Sequence, residues 1–145
     1  MAPNLSLVRY VLDTDSVTFQ QLGRPTIVAR LAQHAPEEIA TTAVTLYEQL
    51  RGRLAAINRQ QPDADLQRAY QRLQATHDYY CRVQVLPFDA VAATMYRQLV
   101  AQGLRIGAQD LRIAAITLAT GGTLVTSNRR HFDQVPGLHI EDWST

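Results

Sequence analysis

Short apolar runs alternate with helix-period segments along the whole chain, and this order restricts the fold more than any other feature. Leu7 to Leu12, Glu38 to Ala43, Val83 to Leu86, Thr123 to Thr126 and Leu138 to Ile140 each read as a strand. Helical stretches are expected around Ser16 to Leu22 and from Pro25 to His34, with Pro25 suited to a first helical turn. The helical pattern resumes from Thr45 through Ala56. After Pro62 a long helix carries Leu66, Tyr70, Leu73, His77 and Tyr80 on one face, and these two helices are expected to form a hairpin. Asp89 can cap a helix with the apolar face Val91, Ala92, Met95, Leu99 and Val100, closed by Gly103. Leu111 to Ala119 is apolar almost all round, so a buried helix is predicted there, ended by Gly121 and Gly122. Strands alternating with helices point to an α/β domain with a mostly parallel sheet.

The chain has 145 residues and shows no repeat or linker, which fits a single domain over 1–145. Such a length buries roughly 68–70% of the surface of its unfolded form, enough for a core without staples. The single cysteine, Cys81, excludes an internal disulfide and a cysteine-rich zinc site, and reads as a small buried hydrophobe. No signal-peptide pattern or membrane-length apolar run is present, so a soluble cytoplasmic protein with no membrane partner is expected. The formal net charge is +1, and all 14 basic residues are arginine. Arginine suits bidentate phosphate contact, although a genome-wide bias explains the missing lysine equally well.

Ligands of parallel α/β sheets bind outside the carboxyl ends of the strands. In LVRYVLDTDSVTF the apolar run ends there on Asp13 and Asp15, a costly pair unless a cation neutralises it or one acid stays protonated. Other segments bring comparable groups. Glu48 follows the second strand, Asp110 opens the buried helix in IGAQDLRIAAITLA, and Asn128 follows the fourth strand in TLVTSNRRHF. Hard oxygen donors of this kind suit Mg²⁺ or Mn²⁺. Each position also has a plain structural role open to it. Thr45 to Glu48 has the form of a capping box, Asp110 and Asp15 can serve helix starts, and Asn128 can serve a turn. Asp13 is the hardest to explain in that way.

Taken together, VLDTD, VTLYEQLRG, GAQDLRIAAITLA, LVTSNRRHF and GLHIEDW resemble, in this order, the motifs of PIN-domain ribonucleases, and specifically the VapC-type toxins of bacterial toxin–antitoxin pairs. The resemblance runs from about Leu7 to Trp143. It implies a three-layer PIN-like domain, with a central sheet of four to five strands flanked by helices. It implies that Asp13, Glu48 and Asp110 are acidic metal ligands for Mg²⁺ or Mn²⁺. Asn128 stands where many relatives carry a fourth aspartate and others an asparagine, and Thr126 matches a hydroxyl that shapes the site. The sequence departs from the pattern at His131, where relatives often have another acid before the phenylalanine matched by Phe132. Asp15 falls where asparagine is common. Three firm carboxylates, with Asp15 in support, imply metal binding that is weaker or more dependent on substrate.

The activity implied is endonucleolytic cleavage of single-stranded or looped RNA, leaving a 5′-phosphate and a 3′-hydroxyl. The partners implied are a second copy of the chain and a small VapB-type antitoxin, whose tail lies in the groove and sets a basic side chain among the acids. Arg51, Arg53, Arg129 and Arg130 lie within a few residues of the site segments and are candidates for RNA phosphates. Tyr79 and Tyr80 fit a core or interface better than base stacking, and His34, His77, His131 and His139 show no metal-ligand spacing. Two rivals stand beside this reading. The Asp13-Thr14-Asp15 triplet also resembles the opening of haloacid-dehalogenase-type phosphatases, but that chemistry leaves Glu48 unused and wants a second acid shortly after Asp110. A PIN-fold binding module with a decayed site is the other, kept open by Asn128 and His131.

Overall fold

The computed structural model describes residues 5–145. Five strands, β1 (Tyr10–Leu12), β2 (Ile39–Thr42), β3 (Gln84–Leu86), β4 (Thr123–Val125) and β5 (His139–Glu141), form one parallel sheet in the order β3-β2-β1-β4-β5. Seven α-helices occur among the described residues: α1 (Thr14–Gln21), α2 (Pro25–Leu31), α3 (Ala43–Ile57), α4 (Asp63–Tyr80), α5 (Ala90–Ala101), α6 (Ala108–Thr120) and α7 (Arg129–Phe132). None of them is long and apolar enough to cross a membrane. The α/β class and the parallel sheet are as the alternation of segments predicts.

Strand alternation divides the apolar residues between the two faces of the sheet. Val11, Ala40 and Leu124 pack with Ile113, Ile116 and Phe132 on one side. Leu12 and Val125 pack with Val17, Ile27 and Trp143 on the other. Trp143 is 1% exposed and its indole N–H donates to Glu141 at 3.1 Å, so the C-terminal EDWST is anchored in the second core.

Several boundaries differ from the sequence expectation, each for a local reason. Leu5–Leu7 forms a 3₁₀ turn, and β1 starts only at Tyr10. The first helix begins at Thr14 because Asp13 caps it, and the third at Ala43 because Thr42 does so by accepting from the Thr45 amide. On α4 the buried positions are Ala69 and Thr76, while Tyr70 and His77 face solvent. Small residues let α4 approach α3 closely, and Arg53 seals the contact by donating from Nε to Thr76 Oγ1 at 2.9 Å. On α5, Asp89 caps the helix as expected, but Val91 and Val100 lie outside the buried face. Cys81 is a free, exposed thiol at the end of α4 rather than a buried one.

Candidate active site

From β1 the chain runs outward to β2 and β3, then returns to the other side of β1 to form β4 and β5. The order reverses between β1 and β4, and in such sheets a crevice opens at the carboxyl ends of those two strands. Asp13 follows β1 there, and Thr126 follows β4.

Asp13 is 5% exposed. Its Oδ1 accepts from the Ser16 amide at 2.9 Å, so it caps α1, a role that sequence reasoning had offered to Asp15. Burial nevertheless pushes its carboxyl up to about 6, against the lowering effect of hydrogen bonds from Thr126 and Ser16. These hydroxyl and amide partners are neutral, and the nearest charge acting on it, Asp15, raises it further. A buried carboxylate served only by neutral donors is under-compensated, which is the condition a bound cation relieves.

A line of contacts runs from Asp13 across the crevice. Thr126, fully buried, accepts from the Asn128 backbone amide at 2.9 Å, while the Asn128 amide group meets His131 Nδ1 at 2.9 Å. His131 Nδ1 lies 3.8 Å from Asp110 Oδ2. Asp110 sits in the first turn of α6, where Gly107 and not Asp110 is the cap residue. Burial raises its carboxyl, His131 opposes this, and Asp15 adds to it. Asp15 is therefore within electrostatic reach of both Asp13 and Asp110.

Glu48 reaches the same edge from α3. The capping box open to Thr45 and Glu48 does not form, because the helix starts at Ala43 and Glu48 lies in its second turn. Its carboxylate instead accepts from Thr14 Oγ1 at 2.5 Å, and the same hydroxyl lies 3.2 Å from Thr45 Oγ1. Glu48 also shares a hollow with Arg51, Gly52 and Gln109, the last being the neighbour of Asp110. Thr14 has no role in the sequence reading, although it stands between the two aspartates of VLDTD, and Thr45 has one there only as the start of a capping box.

Asp13, Thr126, Asn128 and Asp110 are thus linked by successive contacts, with Glu48 one hydroxyl away from the start of α1. The donors are hard oxygens, and with the under-compensated Asp13 they fit a small divalent cation. Among the described residues, no three His, Cys, Asp or Glu side chains stand close enough to grip an ion unaided. Arg129 and Arg130 are exposed beside Asn128, and Arg51 is exposed beside Glu48. Arg53 is not free in the same way, being tied to Thr76. Tyr79 and Tyr80 donate to Gln20 and Gln49 at 2.6 and 2.8 Å, the structural use expected of them. A hollow of about 530 Å³ lies elsewhere, between Leu31, His34, Ile39 and Tyr79, and holds none of these acids.

A parallel sheet with this strand order, and oxygen donors gathered at its reversal point, define a class that the family comparison identifies: the PIN-domain model matches residues 10–138, and the chain belongs to that family. Within it, the chain is 30% identical over 142 residues to the tRNA(fMet)-specific endonuclease VapC of Shigella flexneri, covering 95% of this chain and 100% of the relative. It superposes with a TM-score of 0.76 on a chain of DNA-bound VapBC from Salmonella typhimurium, at 26% identity and covering 94% and 98% of the two chains. VapBC-1 from nontypeable Haemophilus influenzae gives a TM-score of 0.75 at 25% identity, covering 95% and 100%.

Proposed function

We propose that this protein is a metal-dependent endoribonuclease of the VapC type, cutting single-stranded or looped RNA and neutralised by a VapB-type antitoxin. The observation that carries the reading is Asp13, a buried carboxylate without a cationic partner, joined through Thr126, Asn128 and His131 to Asp110. The kinship with a relative named as a tRNA-specific endonuclease and with VapBC complexes supports both the activity and the partner. In this reading the chain works as one cytoplasmic domain that pairs with a second copy.

Asp13, Asp110 and Glu48 would hold Mg²⁺ or Mn²⁺, which supplies charge relief on the phosphoryl oxygens and a water of lowered pKa. The protein's own part is positional. Thr126 orients Asp13 and the Asn128 backbone, Thr14 holds Glu48 at the start of α1, and Asp15 adds negative potential between Asp13 and Asp110. Arg51, Arg129 and Arg130 meet the substrate phosphates. Exposed, unstacked RNA fits a recessed acidic crevice better than a duplex does.

The test is cleavage of labelled structured RNA in Mg²⁺ or Mn²⁺, with and without chelator, by wild type and Glu48→Gln. Because Glu48 caps nothing, glutamine keeps an oxygen for Thr14 and removes only the charge. Chelator-sensitive cleavage that this change abolishes supports the proposal. Cleavage indifferent to both chelator and substitution would sink it, and RNA binding without cleavage would favour a non-catalytic PIN module. Co-purification with the product of an adjacent small gene checks the antitoxin.

A further inference from the structure

On the far side of Gly52 from the acids, α3 and α4 enclose a hollow of about 320 Å³ lined by Arg53, Arg59, Arg68 and Arg72. One carboxylate, Asp65, lines it as well, and Arg68 already engages it. Arg53, Arg59 and Arg72 form no ion pair among the described residues. Burial and the nearby positive charge of Arg72 both depress the Arg53 guanidinium, with Tyr80 opposing, and the hollow gathers four arginines against one carboxylate. Crowding of this kind is costly unless an anion enters, and guanidinium forks match phosphate oxygens.

Its position gives the hollow a use. Gly52 lines both this space and the adjoining one formed with Glu48, Arg51 and Gln109. A Cβ added at Gly52 would meet nothing within 4 Å, so the passage over it is open. From Glu48 to Ala56, which line the two spaces, α3 rises about 12 Å, a distance spanned by a few nucleotides. No aromatic side chain lines the arginine hollow, which suits contact with backbone rather than bases.

We propose that the arginine hollow between α3 and α4 is a second RNA-binding site, holding the phosphodiester backbone of nucleotides that flank the scissile bond. A strand that reaches the acids over Gly52 delivers its neighbouring phosphates to these guanidinium groups. An isolated acidic peptide has the charge for the hollow, but the open path toward Glu48 gives it no corresponding use. The inference rests on the ribonuclease reading above.

The test compares wild type with the double variant Arg59→Gln/Arg72→Gln, leaving Arg53 in its structural bond to Thr76. Binding of a labelled single-stranded RNA of about twelve nucleotides is measured against salt in chelator, a length within the usual span of single-strand sites. Cleavage of that RNA and of a tetranucleotide is then measured with Mn²⁺. Losing two phosphate contacts is expected to flatten the slope of log K against log salt by about 1.4. KM for the longer RNA should rise roughly tenfold with kcat unchanged, and the tetranucleotide should be cut as before. An unchanged slope and KM in a protein that does cleave RNA would overturn the inference alone. Equal losses on both substrates would overturn it too, as would weakened binding of polyglutamate with RNA binding intact. Absence of RNA binding and cleavage in wild type would remove the ribonuclease reading and this site with it.

Discussion

Replacing Asp13 by asparagine should stabilise the metal-free fold while destroying the site. Burial pushes this carboxyl from an ordinary 3.8 to about 6. Over that interval the folded state holds a proton that the unfolded chain has released, so stability falls as pH rises from about 4 and levels off above about 6. A rise from 3.8 to about 6 corresponds to about 3 kcal/mol of native-state penalty at neutral pH. Asparagine is as good a helix cap as aspartate and can accept from the Ser16 amide as Oδ1 does now. Asp13→Asn should therefore raise Tm by roughly 10 °C at pH 7.5 in chelator, with little difference at pH 4. Thermal unfolding across pH 4 to 8 is the assay, repeated with Mn²⁺, which should stabilise wild type far more than the variant. RNA cleavage should be lost. A variant no more stable than wild type at pH 7.5 without divalent ions would refute the claim that Asp13 is under-compensated.

Two further substitutions probe the supports. Thr126→Val removes the hydroxyl that accepts from the Asn128 amide and lowers the Asp13 carboxyl, which should destabilise the protein by about 1–3 kcal/mol in denaturant titrations at pH 7.5. Because that hydroxyl lowers the Asp13 carboxyl, the loss should shrink at pH 4, whereas a purely steric defect would not depend on pH. Trp143→Ala should cost about 3–5 kcal/mol by the same titration, since the indole fills the core beneath Leu12 and Val125. A cost below about 1 kcal/mol would mean that the C-terminus is not anchored there.

The architecture was legible because short apolar runs alternate along the chain with segments whose apolar residues recur at the helical period of 3.6. Errors arose where a residue serves two elements at once. Asp13 and Thr42 each end a strand and cap the following helix, so α1 and α3 start two residues earlier than the apolar pattern indicates. The face of α4 was misjudged for a related reason: Tyr70 and His77 fit the helical spacing, yet close approach to α3 is achieved through Ala69 and Thr76. Trp143 had no periodic context, and its burial depends on contacts with β1, β4 and α1 that a local pattern cannot display.

The double duty of Asp13 also bears on why its acid is not obvious from either role alone. As a cap it needs one oxygen, and serine, threonine or asparagine would serve there without the cost of a buried charge. Thr42 does the equivalent work at the end of β2 with a hydroxyl. The difference between these two strand ends is their place in the sheet, since β1 borders the reversal of strand order and β2 does not. An ionisable group is retained at the one strand end where a crevice can admit a cation, and there it is left without a positively charged side chain among its partners. A carboxylate kept only for capping would have no reason to bear that cost, which is why Asp13 carries more weight than Asp15, Asp110 or Glu48 in assigning the site.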